Sequence, residues 1–281
     1  MLPWPAIKAT MHNNLSPELV DRWKFAVELA KAAGRHTLNY FQQDFKVDRK
    51  RDDSPVTIAD REAEQLARER IALAFPNDAI LGEEFGETAG NSGYRWIIDP
   101  IDGTKSFISG VPLYSTLLGL EHEGRSIVGV IYIPALDEGV HAARGGGAWS
   151  FAKGKPETPA RVSKRSQLAD GVFVTSQVNS YLKRGALDVY QRLEETAYIT
   201  RTWGDGYGYL LVATGRADVM IDPEMFLWDA ASLQPILEEA GGTFTDWRGE
   251  PTIYSGEGLA TNGLLLEEVL AITRTAARRP S

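Results

Sequence analysis

Asp99 and Asp102 stand three residues apart in Trp96-Ile97-Ile98-Asp99-Pro100-Ile101-Asp102-Gly103-Thr104, at the end of an apolar run. Carboxylates projecting together from one tight turn repel each other and resist ionisation, whereas a hard divalent cation with oxygen ligands makes the pair favourable. The local pattern predicts a buried strand over 96–98, a stop at Pro100 because proline removes a ladder donor, and a helix starting at Asp102-Gly103-Thr104. The Gly103 and Thr104 amides then lie at a helix start, where free N–H groups and the helix dipole favour an anion. Metal and phosphate would share one address. The plainer alternative makes Asp102 an N-cap and Asp99 incidental. Against it stand further carboxylates in suitable settings: Glu83 and Glu84 after the apolar run Ala79-Ile80-Leu81, and Asp229 at the head of the apolar segment 230–240. Asp229, too, reads equally as a cap.

These residues carry a resemblance to the inositol monophosphatase family of magnesium-dependent, lithium-sensitive phosphatases. Gly82-Glu83-Glu84, the 96–104 segment, Trp228-Asp229-Ala230-Ala231 and Glu239-Ala240-Gly241-Gly242 follow the family's order and spacing, as does Ser54-Pro55-Val56-Thr57-Ile58-Ala59-Asp60. The resemblance implies an α/β (α+β) fold, a layered α/β/α/β/α sandwich. It implies that Glu83, Asp99 and the Ile101 carbonyl hold one metal and that Asp99, Asp102 and Asp229 hold a second. Two or three Mg2+ ions per site are expected, with Mn2+ able to substitute. Thr104 and Asp60 map onto the pair that activates the attacking water, with Glu83 beside them as the third catalytic residue. Asp102, Gly103 and Thr104 would face the phosphate, and Lys50 falls where the family often has a lysine near the active site.

Composition is consistent with this. The 281 residues are 43% hydrophobic, enough for a large core in one or two domains. With 30 basic against 38 acidic side chains the net charge is −8, which argues against nucleic acid or an anionic membrane as the main partner. An acidic protein that binds phosphate needs cations, and metals would supply them. The absence of cysteine excludes disulfides, thiolate metal sites and cysteine nucleophiles. No apolar stretch approaches a membrane span, and residues 1–14 lack the apolar core of a secretion signal, so a cytoplasmic protein, assembled as a homodimer, is expected.

Along the chain, Ser16-Pro17 opens a helix with Leu19, Trp23, Val27 and Ala30 on one side, and a second helix begins near Thr57. The basic run 46–51 between them reads as a solvated hinge. Strands over 117–121, 127–133, 140–143 and 148–151 form one antiparallel sheet, and 172–175, 219–221 and 243–246 supply later strands. A division near residue 150 separates an N-terminal half (1–150) bearing most metal ligands from a C-terminal half (151–281) bearing Asp229 and substrate-recognition residues.

Two patterns are decoys. Gly204-Asp205-Gly206-Tyr207-Gly208-Tyr209 superficially resembles a dinucleotide-binding turn, but Tyr209 occupies the third glycine position, where its bulk opposes close helix–strand packing. His12, His36, His122 and His141 show no ligand spacing. The segment Trp203-Gly204-Asp205-x-Tyr207-Gly208-Tyr209 instead resembles the histidinol-phosphate phosphatase branch of the family. A carboxylate at Asp205, with Asp222 where inositol phosphatases often place a glutamate, favours a cationic substrate; a helix cap is the alternative for Asp205. The expected activity is hydrolysis of a small phosphorylated metabolite, histidinol phosphate first and inositol phosphate as the alternative. A catalytically dead binding protein on the same scaffold is disfavoured because no carboxylate of the set is missing.

Overall fold

A computed structural model describes residues 15–44, 46–49 and 55–277. Helices α1 (Pro17–Thr37) and α2 (Ile58–Ala74) begin as their sequences dictate, Ser16 accepting from the Leu19 N–H and Thr57 forming a reciprocal capping box with Asp60. Both lie on one face of an eight-stranded sheet, where Trp23, Val27 and Ile71 meet Trp96, Ile98, Leu118 and Val130. The strand order is Thr158–Pro159, Gly147–Ala152, Glu138–Ala143, Arg125–Ile133, Ser115–His122, Tyr94–Asp102, Ala79–Gly82, Gly86–Thr88. Neighbours are antiparallel except Ala79–Gly82 and Tyr94–Asp102, which run parallel with Gly82 opposite Ile98. That register delivers Glu83 and Asp99 side by side at the same strand ends.

Seven further helices follow among the described residues: α3 (Thr104–Ile108), α4 (Val178–Arg184), α5 (Leu187–Thr196), α6 (Asp205–Ala213), α7 (Leu227–Ala230), α8 (Leu233–Glu239) and α9 (Leu266–Thr273). The second face of the large sheet, with Ile97, Leu117, Ile131 and Val140, packs on α6 and α8 through Leu210, Val212, Leu233 and Ile236. The same core takes in Val174, Met220, Phe244 and Ala260 from a five-stranded sheet ordered Ile199–Arg201, Val172–Thr175, Val219–Asp222, Gly258–Thr261, Thr243–Thr245. Alternate residues of those strands, Phe173, Val219, Ile221 and Leu259, turn to Tyr181, Val189, Leu193 and Val269 of α4, α5 and α9. Period-2 strand patterning thus yields five layers, α/β/α/β/α, as the resemblance implied. The central core joins residues from both sides of position 150. No helix among the described residues is long and apolar enough to cross a membrane.

Two local expectations are corrected. Pro100 does not end its strand: Tyr94–Asp102 continues past it, with a register shift between Asp99 and Asp102. A bulge tolerates the missing donor, and the Pro100 carbonyl still accepts from Thr116 Oγ1 at 2.8 Å. Within the basic run, Val47–Arg49 is not plain hinge but pairs antiparallel with Pro55–Thr57.

The sheet meets α7 and α8 through glycines. A β-carbon on Gly119 would lie 2.8 Å from the Ala231 Cβ, and one on Gly129 would lie 1.9 Å from the Ser232 carbonyl oxygen. Ser126 Oγ seals this approach by donating to the Ala231 carbonyl at 2.5 Å. Gly129→Ala is therefore expected to push the α7–α8 turn, and Asp229 with it, off the sheet. A loss of about 1–3 kcal/mol in urea unfolding is expected, with activity falling further than stability alone explains; an unchanged midpoint would refute the close packing.

Candidate active site

The acids gather where the bulge, α3, α6 and α7 converge. One carboxylate oxygen each from Asp99, Asp102 and Asp229 lies within 4.8 Å of the others. Each acid also commits an oxygen to a protein donor. Asp99 Oδ1 accepts from the Ile101 N–H (3.0 Å), Asp102 Oδ2 from Ser115 Oγ (2.6 Å) and the Gly206 N–H, and Asp229 Oδ2 from the Phe226 N–H (2.7 Å). Asp60 follows the same rule, its Oδ2 taking the Thr57 N–H (2.8 Å) and hydroxyl (2.6 Å). Asp60 and Asp229 both occupy third positions of capped helices and accept from the N–H of the residue that opens the helix.

Glu83 reaches this cluster because a residue the sequence reading passed over holds its turn. Glu64, fully buried on α2, accepts from the Glu84 N–H (2.7 Å) and the Phe85 N–H (3.2 Å) and pairs with Arg68. Gly82 is required there, since its β-carbon would lie 2.0 Å from a Glu64 oxygen. The Glu83 N–H continues the parallel ladder to the Ile98 carbonyl, and the Glu83 charge acts on Asp60, Asp99 and Asp229.

Beside the acids, Gly103 turns the chain at φ +83° into α3, and Thr104 Oγ1 donates to the Ile101 carbonyl at 3.1 Å. Among the described residues no hydrogen bond joins Thr104 to Asp60. Asp205 lies nearer this turn than a remote pocket wall would: a β-carbon on Gly103 would come within 2.8 Å of its Oδ2. Asp205 is itself left-handed at φ +52°, a conformation costly for a non-glycine residue, and its N–H donates to Ser176 Oγ at 2.9 Å. Its side chain does not cap α6. Asp222 has both oxygens engaged, by Ser176 Oγ (2.6 Å) and Tyr209 Oη (2.9 Å). Lys105, unremarked in the sequence, donates to Gln177 Oε1 at 2.9 Å. The signal that could have found it is its place directly after Gly103-Thr104. Lys50 lies outside the described residues.

Burial, then mutual repulsion, holds these carboxyls towards their neutral forms. Asp99 is raised well above the ordinary range by burial and by Glu83, Asp102 and Asp229; Asp102 likewise by burial, Asp205 and Asp229. Burial first, against the opposing Phe226 N–H and with the help of Glu83, lifts Asp229 to about 7, and Asp60 rises to about 6, mainly through burial. Among the described residues no Lys or Arg forms a salt bridge with Asp99, Asp102 or Asp229. An all-oxygen donor set so short of positive charge fits a hard divalent cation and contains none of the His or Cys ligands typical of zinc. The glycines of 204–208 serve packing, Gly206 against Ser115 and Asp102 and Gly208 against Met220.

The pattern of the inositol monophosphatase family matches residues 19–278. The histidinol-phosphatase of Chlorobaculum parvum is 46% identical over 88% of this chain and 92% of its own length, and that of Streptomyces coelicolor is 40% identical over 90% and 97%. The solved inositol monophosphatase (IMPase) of Thermotoga maritima superposes with a TM-score of 0.81 at 29% identity, covering 91% of this chain and 97% of its own. The chain belongs to the inositol monophosphatase family. It is a phosphatase, a hydrolase of phosphoric monoesters.

The cluster sets a pH dependence with a definite sign. In the unfolded chain these carboxyls lose protons near pH 4, whereas in the folded metal-free protein Asp60 and Asp229 keep theirs to about 6 and 7. The folded state then binds more protons, so the contribution of the cluster to stability is greatest below about pH 4 and falls as pH rises towards 7. Magnesium should reverse this by favouring the ionised forms. Thermal unfolding in chelator should show the decline, and added Mg2+ should raise the midpoint at pH 7.5 far more than at pH 4.5. Equal metal stabilisation at both values would contradict the assigned cluster.

Proposed function

We propose that this phosphatase hydrolyses histidinol phosphate, using magnesium held by Glu83, Asp99 and the Ile101 carbonyl in one position and by Asp99, Asp102 and Asp229 in a second. Bound there, the metal supplies Lewis acidity, neutralising phosphate charge and lowering the pKa of water. The protein supplies position and proton transfer. The Gly103 and Thr104 N–H groups receive a phosphate oxygen, with Asp102 alongside. Thr104 Oγ1 and Asp60 orient the attacking water, and Asp60, with its carboxyl near 6, takes its proton in the range where a base serves at neutral pH. Burial raises the Asp60 carboxyl and the neighbouring Glu83 charge adds to that rise.

Asp205 carries the choice of substrate. Its carboxylate lies beside Gly103, where it would meet the part of an ester that adjoins a phosphate seated on the Gly103-Thr104 turn. A negative group at that position disfavours a neutral polyol and favours a substrate bearing an ammonium or imidazolium. Asp222 and Ser176 support that wall from behind through their hydrogen bond. The likeness to two bacterial histidinol-phosphatases supports the same substrate.

A phosphate-release panel with magnesium, containing histidinol phosphate, inositol phosphate and a bisphosphate nucleotide, tests this directly. Histidinol phosphate should be hydrolysed best, and Asp205→Asn should lower its turnover by about ten-fold to a thousand-fold while inositol phosphate changes far less, since a charge-assisted hydrogen bond contributes a few kcal/mol. A wild-type preference for inositol phosphate would overturn the proposal. In the same assay Thr104→Ala and Asp60→Asn should each be severe and their double variant little worse, because both serve one step. Losses that multiply would separate the two residues.

A further inference from the structure

Asp205 creates a problem for the phosphate that the metals alone do not address. Its carboxylate sits within reach of any group seated on Gly103, and Asp102, Asp99 and Asp229 lie just behind. An incoming phosphate dianion meets this negative wall. The cation placed against it is Lys105, the second residue of α3, exposed and one peptide beyond Thr104. Its ammonium donates to Gln177 Oε1, at 2.9 Å and 72 residues away in sequence, and its charge acts on Asp205. Gln177 is in turn fixed by donating to Ser180 Oγ at 2.9 Å. It directly follows Ser176, the hydroxyl that receives the Asp205 N–H. Lys105 therefore bridges the Gly103-Thr104 turn and the strand end that shapes the Asp205 pocket.

Gln177 is a weak partner for such a cation: a neutral amide oxygen in a solvent-exposed hydrogen bond holds an ammonium less strongly than a phosphate oxygen does. A flexible four-carbon stem rooted next to the phosphate turn makes the exchange geometrically short.

We propose that Lys105 is a substrate-binding residue that leaves Gln177 for the phosphate group of the bound ester, offsetting the repulsion of Asp205 at the anionic end of the substrate. Asp205 and Lys105 then sort a dipolar substrate by charge, one facing a cationic group next to the phosphate and the other the phosphate itself. This rests on the phosphatase assignment and, for the cationic end only, on the proposed substrate.

Steady-state kinetics of Lys105→Met with magnesium tests it on histidinol phosphate, inositol phosphate and p-nitrophenyl phosphate. KM should rise about ten-fold to a hundred-fold on whichever of the three esters the wild type hydrolyses, with kcat changed much less, and inorganic phosphate should inhibit correspondingly less well. Lys105→Arg should recover most of the loss, which a merely structural role would not give. An unaltered KM, a loss confined to kcat, or a loss confined to histidinol phosphate would overturn the proposal. Wild-type inactivity on histidinol phosphate alone would refute the substrate assignment and leave the Lys105 comparison intact on the other esters.

Discussion

Three buried or partly buried carboxylates whose oxygens approach within 4.8 Å are unstable company unless a cation joins them, and much of the chain works to keep them there. The device is a division of labour within each side chain. One oxygen each of Asp99, Asp102 and Asp229 is tied to a backbone amide or a hydroxyl, which restricts its rotamer, while the three carboxylates still converge on one point. Charge is thereby concentrated without leaving the acids free to swing apart. The cost appears as raised carboxyl pKa values, and a bound divalent cation offsets it.

The ties come from three layers of the sandwich: helix α2, the large sheet, and the helices α6 and α7 packed on its second face. The parallel pairing of Ala79–Gly82 with Tyr94–Asp102 sets Glu83 beside Asp99. The bulge at Pro100 turns Asp99 and Asp102 towards one point from residues that a regular strand would separate. Helix α2 supplies Asp60 at its cap and Glu64 behind Glu83. Helix α7 reaches the cluster only because Gly119 and Gly129 let its backbone lie against the sheet. Helix α6 contributes an N–H to Asp102 from Gly206, where a side chain would collide with Ser115. Loss of any layer would move an acid by more than a hydrogen bond tolerates.

What was legible in the sequence was mostly local. Caps at Ser16 and Thr57, the alternating strands of the large sheet and the acid-bearing turns all follow from short-range chemistry that one segment carries by itself. For Asp229 the cap does not exclude the cluster, since the side chain that accepts from the Phe226 N–H also lies among the acids, and for Asp60 the cap is what the structure shows. What was not legible depends on distant partners. Pro100 reads as a strand stop until Thr116 accounts for its carbonyl. Glu64 resembles an ordinary helix-surface acid until Gly82 and the amides of Glu84 and Phe85 are brought to it. Lys105 gains meaning only from a glutamine 72 residues away. Nor does any propensity place Asp205 in the left-handed region; that requires Ser176 to receive its N–H.

In the proposed reading Asp205 and Asp222 would serve recognition while other acids serve the chemistry, within one electrostatic field. Asp222 is locked by Ser176 and Tyr209, with both oxygens used, so its charge is held in place as part of the wall. Its carboxyl is nonetheless pushed to about 7, by burial first and by Asp205 as well, which means the two acids compete for ionisation. Asp205 bears the opposite influence of Lys105, which lowers its carboxyl against the larger effect of burial. Whichever acid is ionised, the negative charge stays near Ser176, beside the Gly103-Thr104 turn. On the proposed assignment, a substrate with a cationic group beside its phosphate would meet complementary charge for both, whereas a neutral polyol would leave the carboxylate wall partly desolvated and unpaired. Discrimination of this kind requires no change in the metal-binding acids, and it explains how one sandwich and one set of acids can serve substrates that share only a phosphate.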